Sequence, residues 1–70
     1  MNIEDVLLRQ YGPLLSMAQL AKVLDRSSEG LRVSLLNDSD WSRRINETRV
    51  KLGRRVYFRT IDVSKVLSGR

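Results

Sequence analysis

Apolar residues recur along this chain at two spacings, and the switch from one to the other divides it. Up to about residue 37 they recur at three and four, the period of helices; between residues 49 and 59 they alternate, the period of strands. Ile3, Val6, Leu7 and Gln10 mark one face of a first helix, predicted from Ile3 to Gln10, whose apolar members should pack inward. Asn2 is a suitable N-cap, and Glu4 and Asp5 lie in the first turn, where the helix dipole favours acids. Tyr11-Gly12-Pro13 ends it, because glycine suits a C-cap and proline disfavours a helical residue before it.

Ser16 with Gln19 forms a capping box for a second helix, Met17 to Leu24, with Leu20, Ala21 and Leu24 on one face. Ala21 is small enough to let a neighbouring helix come close. Asp25-Arg26-Ser27 is a polar three-residue turn. Ser27 then caps a third helix, Ser28 to Asn37. Leu31 and Leu35 face the first two helices, while Ser28, Arg32, Val33 and Leu36 fall on the other faces. Gly30 costs this helix about 1 kcal/mol of propensity. Close approach to a phosphate and simple tolerance in the first turn are both open as its explanation.

Asn37-Asp38-Ser39-Asp40 is a turn cluster, and Trp41 and Ile45, four apart, predict a single helical turn from Trp41 to Asn46 with both side chains on the core. For Trp41, burial is favoured over a role as a base-stacking platform, because so small a domain needs its area. A hairpin follows over Arg49–Arg59. Pairing Leu52 with Val56 and Val50 with Phe58 gathers the apolar residues on one face and sends Arg49, Lys51, Tyr57 and Arg59 outward, with Gly53-Arg54-Arg55 as the loop. A two-residue Gly53-Arg54 turn is the alternative. It pairs Lys51 with Val56 and spoils the apolar face, so the longer loop is favoured. A last helix, Ile61 to Leu67, starts after Thr60 as N-cap, with Ile61, Val63, Val66 and Leu67 on its apolar side. The expected class is mostly α with a small β-hairpin, in one domain spanning residues 1–70, with no internal repeat or linker.

Seventy residues bury only about 60% of the unfolded surface, so the core is small. There is no cysteine to form a disulfide or thiolate metal site, and no histidine to act as a general base or metal ligand. Serines and carboxylates therefore lack a catalytic partner, and Gly12, Gly30, Gly53 and Gly69 are too scattered for a phosphate-binding loop. Neither an enzyme nor a cofactor is expected. The longest apolar runs are far short of a membrane span, and Met1–Asp5 lacks the basic start of a signal peptide, so a cytoplasmic protein is expected, nucleoid-associated if it binds DNA.

Charge narrows the picture further. The net charge is +5. Arg43, Arg44, Arg49, Lys51, Arg54, Arg55 and Arg59 crowd into residues 43–59 against Glu47 alone, while residues 1–42 are nearly neutral. A surface that is merely solvated normally mixes both signs; one-sided charge fits phosphate. Two helices joined by a tight turn and followed by a basic hairpin suggest a helix-turn-helix with a wing that reads duplex DNA. The third helix would enter the major groove, offering Ser27, Ser28, Glu29 and Arg32 to base edges or phosphates. Glu29 either accepts from cytosine or orients Arg32, and orientation is favoured because an acid near phosphates costs affinity. In the wing, Lys51, Arg54, Arg55 and Arg59 would contact the backbone or a narrow minor groove, with Arg26, Arg43, Arg44 and Arg49 as additional backbone contacts. A single small module offers limited contact area, so a homodimer or cooperative multimer on DNA is expected.

Leu15-Ser16-Met17-Ala18-Gln19-Leu20-Ala21 with Leu24, Arg26-Ser27, Leu31-Arg32, Gly53-Arg54-Arg55-Val56-Tyr57-Phe58 and Asp62-Val63 together resemble the small MerR-like winged-helix proteins. That group includes phage excisionases, AlpA-type regulators and short regulators of plasmids and integrative elements. The resemblance covers residues 14–67 and implies a winged helix-turn-helix DNA-binding domain of a mobile element. Such a protein acts as a recombination directionality factor or a small transcriptional regulator, with an integrase or RNA polymerase as a further partner. Two features depart from the family pattern: Asp38–Thr48 separates the third helix from the wing, and an acidic helix precedes the rest, as a dimerisation element or as core. The rival readings are an anti-repressor-type adaptor whose basic face binds an acidic protein, and a small RNA-binding protein. The paucity of exposed aromatics argues against single-stranded ligands.

Overall fold

The computed structural model describes residues 2–69. Along these the order is α1 (Ile3–Tyr11), β1 (Leu14–Ser16), α2 (Met17–Val23), α3 (Ser28–Leu36), α4 (Asp40–Glu47), β2 (Arg49–Leu52), β3 (Arg55–Arg59) and α5 (Thr60–Leu67). The strands form one antiparallel sheet in the order β1-β3-β2. It is a mostly helical domain with a small sheet.

The local signals act as expected at most helix starts. Asn2 Oδ1 accepts the Asp5 amide at 2.9 Å, and Gly12 closes α1 at φ 82. Ser16 and Gln19 complete a reciprocal capping box at the head of α2. Ser27 Oγ accepts the Gly30 amide at 3.0 Å at the head of α3. A Cβ at Gly30 would meet Ser27 Oγ at 3.0 Å, a contact relieved by a small shift, and Gln19 and Asp5 carry side chains at the equivalent cap position.

Leu15, Leu20, Ala21, Leu31, Leu35, Ile45, Phe58 and Val63 form the core, drawn from β1, α2, α3, α4, β3 and α5. Each fully buried large apolar side chain among them stabilises the fold by about 1.5–3 kcal/mol. The helix expected over residues 41–46 is a full α4, capped by Ser39 and Ser42. The Ser42 hydroxyl also bonds the Asn37 carbonyl and fastens the α3–α4 connection. Ile45 is completely buried, whereas Trp41 is half-buried against the core.

Four expectations need correction. First, Ile3 and Val6 remain substantially exposed and only Leu7 of α1 is buried, because α1 packs chiefly on α5 and covers one narrow strip. Second, β1 has no counterpart in the sequence reading; three residues are too few to show a period, yet Leu15 in it is fully buried. Third, Thr60 does not cap α5. It is the helix's first residue, fully buried, its hydroxyl donating to the Gly12 carbonyl at 2.8 Å and its amide to the Pro13 carbonyl at 3.0 Å. Ile61 consequently faces outward.

The fourth correction is the hairpin register. The pairs are Arg49 with Phe58, Val50 with Tyr57, Lys51 with Val56 and Leu52 with Arg55, closed by the two-residue turn Gly53-Arg54. Gly53 has φ 63 and Arg54 does not have positive φ, the pattern of a type II′ turn, whose twist matches that of the flanking strands. The shift moves β2 by one residue against β3 and so exchanges its faces. Arg49 and Lys51 now share the face of Val56 and Phe58, while Val50 and Leu52 share that of Tyr57. The favoured apolar pairing is replaced by cationic side chains lying over the apolar ones, their methylene stems serving as cover.

Candidate nucleic-acid interface

The turn between α2 and α3 is a complete Schellman motif. The Asp25 amide donates to the Lys22 carbonyl at 3.1 Å, and the Arg26 amide to the Ala21 carbonyl at 2.9 Å. Asp25 occupies the left-handed position usually given to glycine, at φ 56. This sharp reversal lets α2 and α3 pack together through Leu20, Ala21 and Leu31 and leaves the outer side of α3 uncovered.

On that outer side Glu29 and Arg32 form an ion pair of 3.7 Å, both well exposed. This is the i, i+3 geometry expected of an acid that orients an arginine. Ser28 lies one turn before Arg32 on the same side. The Ser27 hydroxyl is already engaged as the cap, so its contribution to the surface is the ordered first turn, with the Ser28 and Glu29 amides ahead of the Gly30 amide it holds.

The hairpin stands beside this helix. A groove of about 380 Å³ runs between them, lined by Met17, Arg32, Leu36, Arg49, Arg54 and Val56. Three arginines from three elements, α3, β2 and the turn, therefore line one concavity whose lining holds no carboxylate. Arg49 is fixed by its stack on Phe58, with its guanidinium carbon 6.0 Å from the ring centre, and by a 3.0 Å bond to Asn46 Oδ1. Among the described residues Lys51, Arg54 and Arg55 form no ion pair, so their charge is uncompensated at the hairpin tip. Lys51 shares the sheet face of Arg49, and Arg55 extends from the opposite face.

The remaining candidates lie apart from the groove. Arg59 is held at the base of β3, donating to Asp62 Oδ2 and to the Glu47 carbonyl, both at 2.6 Å, where it closes the C-terminal end of α4. Arg44 lines a separate hollow with Arg59, Glu47 and Asp62. Arg43 pairs with Asp40 at 2.6 Å and with Asp38 at 3.7 Å. Arg26 donates to Ser34 Oγ at 3.1 Å and lies 5.6 Å from the centre of the Trp41 ring, bracing the turn against α3 and α4. Arg49 thus moves from the periphery of the expected site to its centre, and Arg59 moves from its wing into a structural tie.

Sequence reasoning overlooked Met17, Leu36 and Val56 as lining residues. Leu36 carried a usable signal: it is apolar on a helix face that the core leucines Leu31 and Leu35 do not need. Among the described residues there is no cluster of acids suited to a metal ion, and no helix is long and apolar enough to cross a membrane. Comparison with protein-family models, with curated proteins and with solved structures finds no match to this chain.

Proposed function

We propose that this chain is a sequence-specific double-stranded DNA-binding protein of the winged helix-turn-helix type. In this reading α3 enters the major groove and the β2–β3 hairpin grips the adjacent backbone or minor groove. The observation that carries it is the groove shared by Arg32, Arg49 and Arg54, beside a hairpin whose Lys51 and Arg55, on opposite faces of the sheet, form no ion pair among the described residues. A helix end alone, or a basic hairpin alone, occurs on many surfaces; a basic hairpin beside the exposed face of the second helix of a tight helical pair suits a duplex. The longest dimension of the molecule, 32 Å, spans about one turn of B-DNA, ~34–36 Å, so one copy covers a single half-site. Specific control then calls for a dimer or cooperative copies.

The resemblance of Leu15–Leu24, Gly53–Phe58 and Asp62-Val63 to small MerR-like proteins favours a mobile-element regulator, acting as an excisionase-like directionality factor or on transcription, beside an integrase or RNA polymerase. Gel shifts on random duplex DNA across a salt series test the binding reading. With about five or six phosphates neutralised, log affinity should fall against log salt with a slope near −5. Absence of binding at low salt would remove the DNA reading in favour of an adaptor for an acidic protein.

A further inference from the structure

Phosphate binding does not account for the apolar residues on the outer face of α3. Leu36 is 80% exposed and Val33 51%. Neither serves the core, which takes Leu31 and Leu35 from the opposite side of the same helix. Helical spacing puts Glu29, Arg32, Val33 and Leu36 together on one outward stripe. Leu36 lies in the groove that Arg32, Arg49 and Arg54 also line.

An apolar protein partner docked there would strip water from three guanidinium groups without pairing them, at high cost. A polyanion that also presents small apolar points suits both kinds of residue. Duplex DNA has this character: phosphates flank a major groove whose apolar edge group is the thymine C5-methyl. Resting on the DNA-binding reading, we propose that Leu36 and Val33 read thymine methyl groups, so that the target carries thymine close to the base contacted by Arg32. Four residues of helix rise about 6 Å. At about 3.4 Å per base step, this puts the Leu36 contact within about two base pairs of the Arg32 contact.

The test begins with selection of bound duplexes from a randomised library by the full chain. The enriched site is then resynthesised with deoxyuridine replacing each thymidine in turn, which removes the methyl and keeps the pairing. A buried methyl contributes about 0.8 kcal/mol, or about fourfold in affinity. At one or two positions wild-type protein should lose about that much affinity. The same replacement should leave the affinity of Leu36→Ala or Val33→Ala unchanged. Both side chains are exposed, so these variants keep the fold. Deoxyuridine without effect at every enriched thymine, a loss of equal size in wild type and both variants, or selection that enriches no sequence would each overturn the inference while leaving DNA binding intact. Failure to retain any duplex at low salt would instead overturn the underlying reading.

Discussion

The Arg49 guanidinium carbon lies 6.0 Å from the centre of the Phe58 ring, directly across the β2–β3 pair. Phe58 is fully buried in the core, so this stack joins a surface cation to the interior of the protein. It exists because the hairpin closes in two residues at Gly53-Arg54, which brings Arg49 to the core side of the sheet beside α3. A longer loop would have turned Arg49 and Lys51 away from that helix.

Arg49 should therefore serve two separable purposes. Arg49→Met keeps an unbranched side chain over Phe58, and should preserve thermal stability while making the salt slope of DNA binding less negative by about one. Arg49→Ala should show the same change in slope and also lose about 1 kcal/mol of stability, because it removes the stem that covers Phe58 as well as the charge. Thermal unfolding and salt-dependent binding of the two variants separate the contributions.

Arg32 and Arg54 should differ in kind. Arg32→Ala is expected to cost about 1–3 kcal/mol on a selected site and to relax preference at one base position. Arg54→Ala should weaken selected and random duplexes alike and reduce the salt slope by about one. Competition assays with both DNAs distinguish them: equal losses for Arg32→Ala would deny it a base contact, and a loss for Arg54→Ala confined to one sequence would deny it a backbone role.

Asp25 holds a backbone conformation that suits glycine better, at φ 56 in the Schellman turn. Asp25→Gly should stabilise the fold by about 0.5–1 kcal/mol, a rise of a few degrees in Tm for a domain of this size. Asp25→Val, β-branched at positive φ, should destabilise it. Differential scanning calorimetry reads both; a lower Tm for the glycine variant would contradict the assigned strain.

Thr60 ties the β3–α5 junction to the end of α1 through the Gly12 carbonyl. Thr60→Val keeps the volume and removes the donor, so the acceptor it leaves unpaired should cost about 1–3 kcal/mol. DNA affinity measured well below the new Tm should be unchanged, because the tie lies away from the α3–hairpin groove.

The sequence was most legible where a local bond sets the structure. Asn2, Ser16 and Ser27 announce three helix starts because a capping side chain and its amide lie only three residues apart. Leu31 and Leu35 are buried as their spacing implies. It was least legible where partners are distant or where two local preferences compete. The β1 strand is defined by Leu15 pairing with Phe58, far along the chain. Apolar alternation favoured one hairpin register, whereas the tight turn at Gly53 and the reach of Arg49 over Phe58 go with the other. Charge composition located the basic segment but did not separate Arg54, free at the tip, from Arg59, which is committed to Asp62 and the Glu47 carbonyl.

The central claim is that the outer face of α3 and the hairpin tip engage one duplex together. Amide chemical-shift mapping during titration of the labelled full chain with a short duplex at low salt tests it most directly. The expected shifts cluster at Ser28–Leu36 and at Lys51–Arg55, in a single concentration-dependent transition, and leave Ile3–Arg9 and Asp62–Leu67 unmoved. Shifts confined to one of the two elements, or centred on α1 and α5, would contradict it.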